Sequence, residues 1–272
     1  MATGAFVTTA QVPTALAYSW DGANWALSPA QTNFGAGQTL SSVSCVSATT
    51  CTAVGNWTGN PGGPFAEQFS SGTWTITLSG INGAQSASNG VLTSVSCPAA
   101  GGCMAVGYSA ASGLKVAYGQ WWNGSSWASV NTTGLTAGQN SSFSSVSCTP
   151  GNGCTATGQI SSGAAQLTLA ASWTGKSFVP ANTPNPNNGT QNIPDGISCL
   201  TNVSCIVAGW SGTMSSQQTM VMTGPVSPLG YWLAGSDGGI FAFGNALFYG
   251  STGGITLNAP IVGMAATPDG QG

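Results

Sequence analysis

Apolar and small polar residues alternate along this chain in short runs, and clusters of serine, glycine and asparagine separate them. Between residues 91 and 141 four runs follow one another: Leu92–Ser96, Met104–Tyr108, Val116–Trp122 and Trp127–Val130. A spacing of two, with no 3.6-residue period anywhere, predicts strands rather than helices. Cysteines end the first run and open the second, and this arrangement recurs. The four copies read LSSVSC-VSATT-CTAVG, LTSVSC-PAAGG-CMAVG, FSSVSC-TPGNG-CTATG and PDGISC-LTNVS-CIVAG. The pairs are Cys45 and Cys51, Cys97 and Cys103, Cys148 and Cys154, and Cys199 and Cys205, and the first cysteines recur every 51 or 52 residues.

The third and fourth runs meet at a second regular feature. Aromatics flank a short polar turn at Trp20 and Trp25, Phe69 and Trp74, Trp122 and Trp127, and Trp173 and Phe178. This predicts a hairpin closed by a cross-strand aromatic pair. Four antiparallel strands per repeat describe a β-propeller blade. The expected fold is therefore all-β, a β-propeller of about five or six four-stranded blades, with a disulfide-clipped hairpin in each of the four cysteine-bearing blades. A β-solenoid is the rival, but its coils are shorter and lack paired hairpins. The phase of the repeat divides a single propeller over 1–272 into a partial first blade (1–39), three full blades (40–90, 91–141, 142–193) and a fourth cysteine-bearing blade (194–228). A cysteine-free blade or insertion (229–258) and a closing strand (259–272) follow. Residues 5–30 hold only three runs, and Ala259–Ala265 is the expected source of the missing strand, completing its own ring or a neighbour's.

The stretch GYWLAGSDGGIFAFGNALFYGSTGG resembles a repeat of secreted actinobacterial proteins, matched at Tyr231, Trp232, Asp237, Gly238, Gly239, Phe241, Phe243, Phe248 and Tyr249. It adds expected strands at Tyr231–Ala234, Ile240–Phe243 and Ala246–Tyr249. The SVSC-x5-C-x-AVG units resemble another repeat of the same kind of protein. Together these resemblances imply an extracellular propeller-like repeat domain. The turn Ser19–Trp25 and its equivalents also resemble the Asp-box hairpin of sialidase-type propellers, one residue shorter and with the aspartate kept only at Asp21. That resemblance implies blade geometry and not sialidase activity, since the chain has no arginine to build the cluster such an enzyme needs.

Composition narrows the function. Hydrophobic residues make up 42% of the chain and ten residues are tryptophan, so a core can form. Charge is nearly absent: Lys115, Lys176, Asp21, Glu67, Asp195, Asp237 and Asp269 are the inventory, with no histidine. Such a surface is expected to respond little to pH or salt. Nucleic acid is excluded as a partner, because no cation cluster exists to displace phosphate counterions. No apolar run approaches the ~18 residues that span a bilayer as a helix. Residues 1–11 lack a basic region and a long apolar stretch, while the cysteines point to export, so a leader removed or replaced by Met1 is expected.

Zinc ligation and disulfide bonding are the alternatives for the cysteines. Separate x5 pairs on repeated hairpins fit local disulfides better than C-x2-C knuckles, each bridge contributing roughly 2 kcal/mol. Asp21, Glu67, Asp195 and Asp237 fall in different repeats and form no acid–base pair. Lys176 sits in a turn, and the Asp237-Gly238-Gly239 segment reads as a turn before a calcium loop. No catalytic residue, metal or cofactor is assigned. Trp57, Trp121 and Trp210 lie outside the hairpin pairs and are candidates for stacking on sugar rings or for packing between blades. Sequons at Asn56, Asn123, Asn131, Asn140, Asn188 and Asn202 are candidate glycosylation sites. The reading is a non-catalytic extracellular structural module with a surface open to self-association, by strand exchange into a filament or surface layer. A carbohydrate-binding or adhesion propeller is the second reading, and a hydrolase or lyase the third.

Overall fold

The computed structural model describes residues 1–7, 9, 11–28, 37–58, 62–79, 90–99, 102–111, 113–135, 138–151, 153–186, 190–201, 204–213, 215–224, 231–235, 237, 239–243, 250–252 and 254–259, with the backbone alone at 111, 224, 231–234 and 242–243. They form two compact bodies, Met1–Ser227 and Pro228–Gly272.

The first body is a series of antiparallel repeats. A three-stranded repeat at the N-terminus holds β1 (Ala2–Val7), β2 (Pro13–Trp20) and β3 (Trp25–Leu27), in that order. The first cysteine repeat holds β4 (Gln38–Ser47), β5 (Thr50–Trp57), β6 (Gly63–Ser70) and β7 (Thr73–Ser79). The second holds β8 (Val91–Ala99), β9 (Gly102–Ala111), β10 (Leu114–Trp122) and β11 (Trp127–Ser129). The third holds β12 (Ser141–Thr149), β13 (Gly153–Ser162), β14 (Ala165–Trp173) and β15 (Phe178–Ala181). The fourth contributes β16 (Gln191–Thr201), β17 (Ser204–Thr213) and β18 (Ser216–Gly224), joined to the third by one parallel pair, Gln166↔Gln191. The second body contains β19 (Tyr231–Ala234) and β20 (Ile240–Phe243), which pair antiparallel. The strand expected at Ala246–Tyr249 lies outside the described residues, as do residues 260–265 of the expected closing strand.

All eight cysteines are paired as the spacing predicts. The bridges Cys45–Cys51, Cys97–Cys103, Cys148–Cys154 and Cys199–Cys205 have S–S distances of 2.02, 2.08, 2.05 and 1.98 Å. Each clips the first two strands of its repeat at their shared turn. Bonds of this number and regularity belong to an oxidising compartment. Among the described residues no helix is long and apolar enough to cross a membrane.

A bulge explains the glycine of each C-x-AVG unit. Leu40 faces Gly55 and Ser42 faces Val54, leaving Ser41 as the extra residue. Thr93, Ser144 and Asp195 are extra in the same way. The bulge drives the carbonyl of the first strand against the second. A Cβ on Gly55, Gly107, Gly158 or Gly209 would lie 1.9–2.0 Å from the carbonyl oxygen of Thr39, Val91, Ser142 or Ile193. Only glycine fits there.

The serines of SVSC join one repeat to the next. The first strands β4, β8 and β12 are sheet edges, and β16 meets β14 only at Gln166↔Gln191, so their outward N–H groups need acceptors from elsewhere. Ser42 and Ser44 Oγ accept from Val95 N (3.2 Å) and Cys97 N (3.0 Å). Ser94 and Ser96 accept from Val146 N (3.2 Å) and Cys148 N (2.9 Å). Ser145 and Ser147 accept from Ile197 N (3.3 Å) and Cys199 N (3.0 Å). The bulged residues add bonds in the reverse sense: Thr93 Oγ1 donates to Phe143 O at 2.9 Å, and Ser144 Oγ donates to Pro194 O. Ser94→Ala is expected to strand the Val146 N–H and cost about 1–2 kcal/mol in urea denaturation. Ser198→Ala, at the exposed end of the ladder, is expected to change stability by less than about 0.5 kcal/mol. Equal effects at the two positions would count against the ladder.

Apolar clusters fill the seams between successive repeats. Ala15 and Ala17 pack with Leu40, Phe65, Phe69 and Trp74. Val54, Ala66 and Leu78 pack with Leu92, Val95, Trp122 and Trp127. Met104, Val106 and Ala117 pack with Phe143, Val146 and Phe178.

Candidate functional site

The aromatic hairpin pairs reveal what is unusual about the ends of the first body. The ring centroids of Trp20–Trp25, Phe69–Trp74, Trp122–Trp127 and Trp173–Phe178 are 5.5, 5.3, 5.5 and 5.7 Å apart. In the cysteine repeats this pair packs on the preceding repeat. Trp74 Nε1 donates to Ser28 Oγ at 2.8 Å, and Trp127 Nε1 to Thr77 Oγ1 at 3.1 Å. Phe178 packs with Met104, Val106 and Ala117 of the second repeat. The N-terminal repeat is the exception. Its Trp20 and Trp25 are 48% and 54% exposed, where Trp74 and Trp127 are 5% and 1%.

The fourth cysteine repeat shows the reverse. Ile206 and Val221 occupy the positions of Thr52 and Ala66, which are covered by the next repeat. Thr52 and Ala66 are 4% and 0% exposed, whereas Ile206 and Val221 are 56% and 61% exposed. Leu200, at the place of Val46, is exposed as well. Of the large apolar side chains exposed in this body among the described residues, all but Ile76 and Leu114 lie on these two end repeats.

The N-terminal sheet also has an open edge. Among the described residues β1 pairs only with β2. Gly4 faces Leu16, as Gly55 faces Phe65 and Gly107 faces Tyr118. It is thus the repeat-equivalent of the bulge glycines, yet nothing lies within 4 Å of a Cβ placed on it.

The ionisable groups stay apart. Asp21 Oδ1 accepts from Asn24 N (2.7 Å) and Ala23 N (2.8 Å). These bonds, Asn24 first, hold its carboxyl below the usual range. Asn123 Oδ1 does the same at the matching turn, accepting from Ser125 N and Ser126 N. Asp195 is exposed on the β16 bulge, and Asp237 Oδ1 accepts from Gly239 N at 2.9 Å within its own turn. Lys176 is exposed in the turn between β14 and β15. No group of three His, Cys, Asp or Glu gathers among the described residues.

Glu67 departs from expectation. It is 1% exposed on β6, and neither carboxylate oxygen has a hydrogen-bond partner among the described residues. Burial pushes its pKa up to about 8. The low pH response expected of the surface does not extend to this buried carboxyl, which burial holds between the ordinary carboxylates and the lysines. The cause is a missing partner. Gln120, the matching residue of the second repeat, donates through Nε2 to Tyr118 Oη and to Ser129 Oγ (3.2 Å). The first repeat places Phe65 and Ile76 at those two positions.

The candidate sugar-stacking residues are drawn into packing. Trp57 lies against the cluster around Phe65, and Trp121 lies against the cluster around Phe143, 6.2 Å from Trp173. Trp210 is half-buried. The described sequon side chains serve local structure through Oδ1. Asn56 accepts from Thr39 Oγ1, Asn131 from Thr133 N, and Asn140 from Lys115 N. Asn188 and Asn202 lie outside the described residues.

Sequence reasoning missed the ladder serines, Gly4 and the burial of Glu67. The signal for the first two was present, since the serines recur at fixed offsets from each cysteine pair and Gly4 holds the place of the last glycine of the C-x-AVG units. Nothing local signalled the third. No protein-family profile matches the chain, and no curated protein matches it.

Proposed function

We propose that this chain is a non-catalytic extracellular structural module, a propeller-like series of blades that assembles end to end with further copies of itself. The observation that carries this reading is the pair of faces with exposed apolar side chains at the two ends of the first body's described repeats. One presents the aromatic pair that elsewhere packs on the preceding repeat, and the other presents the positions that elsewhere receive it. Joining unlike faces gives a heterologous contact, which continues as a filament or layer or closes as a ring of copies. The expected strand donor, Ala259–Ala265, lies almost wholly outside the described residues, so the faces rather than that strand support the proposal.

Mass photometry and light scattering over a concentration series test it. Concentration-dependent oligomers are expected, and both the double substitution Trp20→Ser/Trp25→Ser and the single change Val221→Asp are expected to reduce them to monomer. A wild-type chain that stays monomeric at every concentration would overturn the reading.

A polar crevice favours glycan binding as the second reading. It encloses about 340 Å³ between the second and third cysteine repeats, and Lys115, Asn140, Ser141, Gln159, Ser161 and Gln166 line it. A glycan array with no signal above background removes that alternative.

A further inference from the structure

We propose that the free edge of β1, centred on Gly4, is an acceptor site for one added β-strand, supplied by another polypeptide built of these same repeats. The claim rests on the N-terminal repeat being an assembly end, but it concerns an edge and not a face. In every cysteine repeat the second strand is covered by a first strand whose bulged carbonyl sits over a glycine. The N-terminal repeat keeps that glycine, and among the described residues no strand lies over it. A strand interior gains nothing from glycine unless another backbone approaches it, and otherwise glycine is destabilising there. The open slot at Gly4 therefore has the shape of a bulged strand.

Register follows from the first cysteine repeat, where Leu40 faces Gly55, Ser41 is skipped, Ser42 faces Val54 and Val43 faces Ala53. An incoming strand of this type sets its large apolar residue opposite Gly4, skips one residue, then faces Thr3 and Ala2. Leu40 and Val43 pack in the same cluster as Phe69 and Trp74, so the matching residues of the guest meet Trp20 and Trp25. One guest thus satisfies the unpaired backbone of β1, fills the Gly4 slot and covers part of the exposed aromatic pair. Main-chain bonds supply affinity, and the bulge and apolar residue supply selectivity.

The probe is a synthetic peptide copying residues 38–47 with Cys45→Ser, titrated into the full chain at concentrations where mass photometry shows monomer. Saturable binding by calorimetry is expected, with a change in tryptophan emission that is absent from a Trp20→Phe/Trp25→Phe chain. Gly4→Val is expected to weaken binding at least tenfold while leaving the melting temperature of the chain unchanged. A peptide lacking the residue that copies Ser41 is expected to bind at least tenfold more weakly, because its register no longer fits the slot. No binding at millimolar peptide, or equal binding by the Gly4→Val chain, overturns the proposal. Peptide binding by a chain that never oligomerises would sink end-to-end assembly and leave the acceptor site standing.

Discussion

Gly107→Ala is expected to lower the stability of this protein by at least ~3 kcal/mol, while the same change at the repeat-equivalent Gly4 leaves it unchanged or slightly improved. The two glycines hold the same place in their repeats, so helix and strand propensity cannot separate them. What differs is the space in front of them. A methyl group on Gly107 would lie 1.9 Å from Val91 O and 3.0 Å from Leu92 Cα, and both atoms are backbone. Backbone held on one side by β9, tied to the next repeat through Thr93, Ser94 and Ser96 and to the preceding one through the N–H groups of Val95 and Cys97, cannot step aside. The strand must lose its bulge or separate, and the hydroxyl bonds to the next repeat go with it. Gly4 meets no such wall, and alanine in an open strand gains a few tenths of a kcal/mol by restricting the unfolded chain. For a chain of this size the Gly107 loss reads as a melting temperature lower by roughly 10 °C. A Gly107→Ala protein melting within a degree of wild type would show that the bulge is free to relax, and would undo the account of the C-x-AVG motif.

Much of the architecture was legible in the sequence because strands announce themselves locally. Alternation of apolar and polar residues, bounded by glycine and serine turns, placed β8 to β11 within a few residues of their observed limits. The cysteine spacing placed four hairpins, because antiparallel neighbours at a tight turn bring the two sulfurs together. The three-stranded N-terminal repeat followed from phase alone. The serine ladder was written in the same letters but stayed illegible. The partner of Ser94 is the Val146 N–H, 52 residues away, and a hydroxyl between strand residues looks like ordinary surface. The exposed end faces were hidden for a related reason. Trp20 and Trp122 stand in near-identical local contexts, and the cover over Trp122 comes from residues such as Val54, Ala66 and Leu78, far from it in sequence. Among the carboxylates, Asp21 was read correctly as part of a turn. Glu67 was not placed, because a lone carboxylate between Ala66 and Gln68 carries no local sign that its strand position is buried.

Glu67 makes acid the favourable condition for this fold. Its pKa in the folded chain is raised from 4.5 to about 8 by burial alone, so the folded state holds a proton that the unfolded state releases. The stabilisation linked to that proton is complete below about pH 4.5. It declines as pH rises and is gone once pH passes the folded value near 8. The loss across this window is on the order of 3–5 kcal/mol, a large share of the stability of an ordinary domain. Few other groups interfere, because the chain has no histidine and its remaining side chains include only two lysines and four aspartates. Asp21 has the opposite sign, but its lowered pKa confines its effect to pH values below the usual carboxylate range. Urea denaturation at pH 5 and pH 8.5 is therefore expected to show the wild type clearly weaker at the higher pH. Glu67→Gln is expected to flatten the profile and to exceed wild type at pH 8.5. Adding Phe65→Tyr, which recreates the Tyr118–Gln120 arrangement of the second repeat, is expected to stabilise the Glu67→Gln chain by about a further 1 kcal/mol through the restored hydrogen bond. A wild-type profile already flat between these two pH values would mean that Glu67 is ionised and solvated in the folded chain. The seam between the N-terminal repeat and the first cysteine repeat would then have to admit water, and its packing could not be the closed cluster of Ala15, Ala17, Leu40, Phe65 and Trp74 seen here.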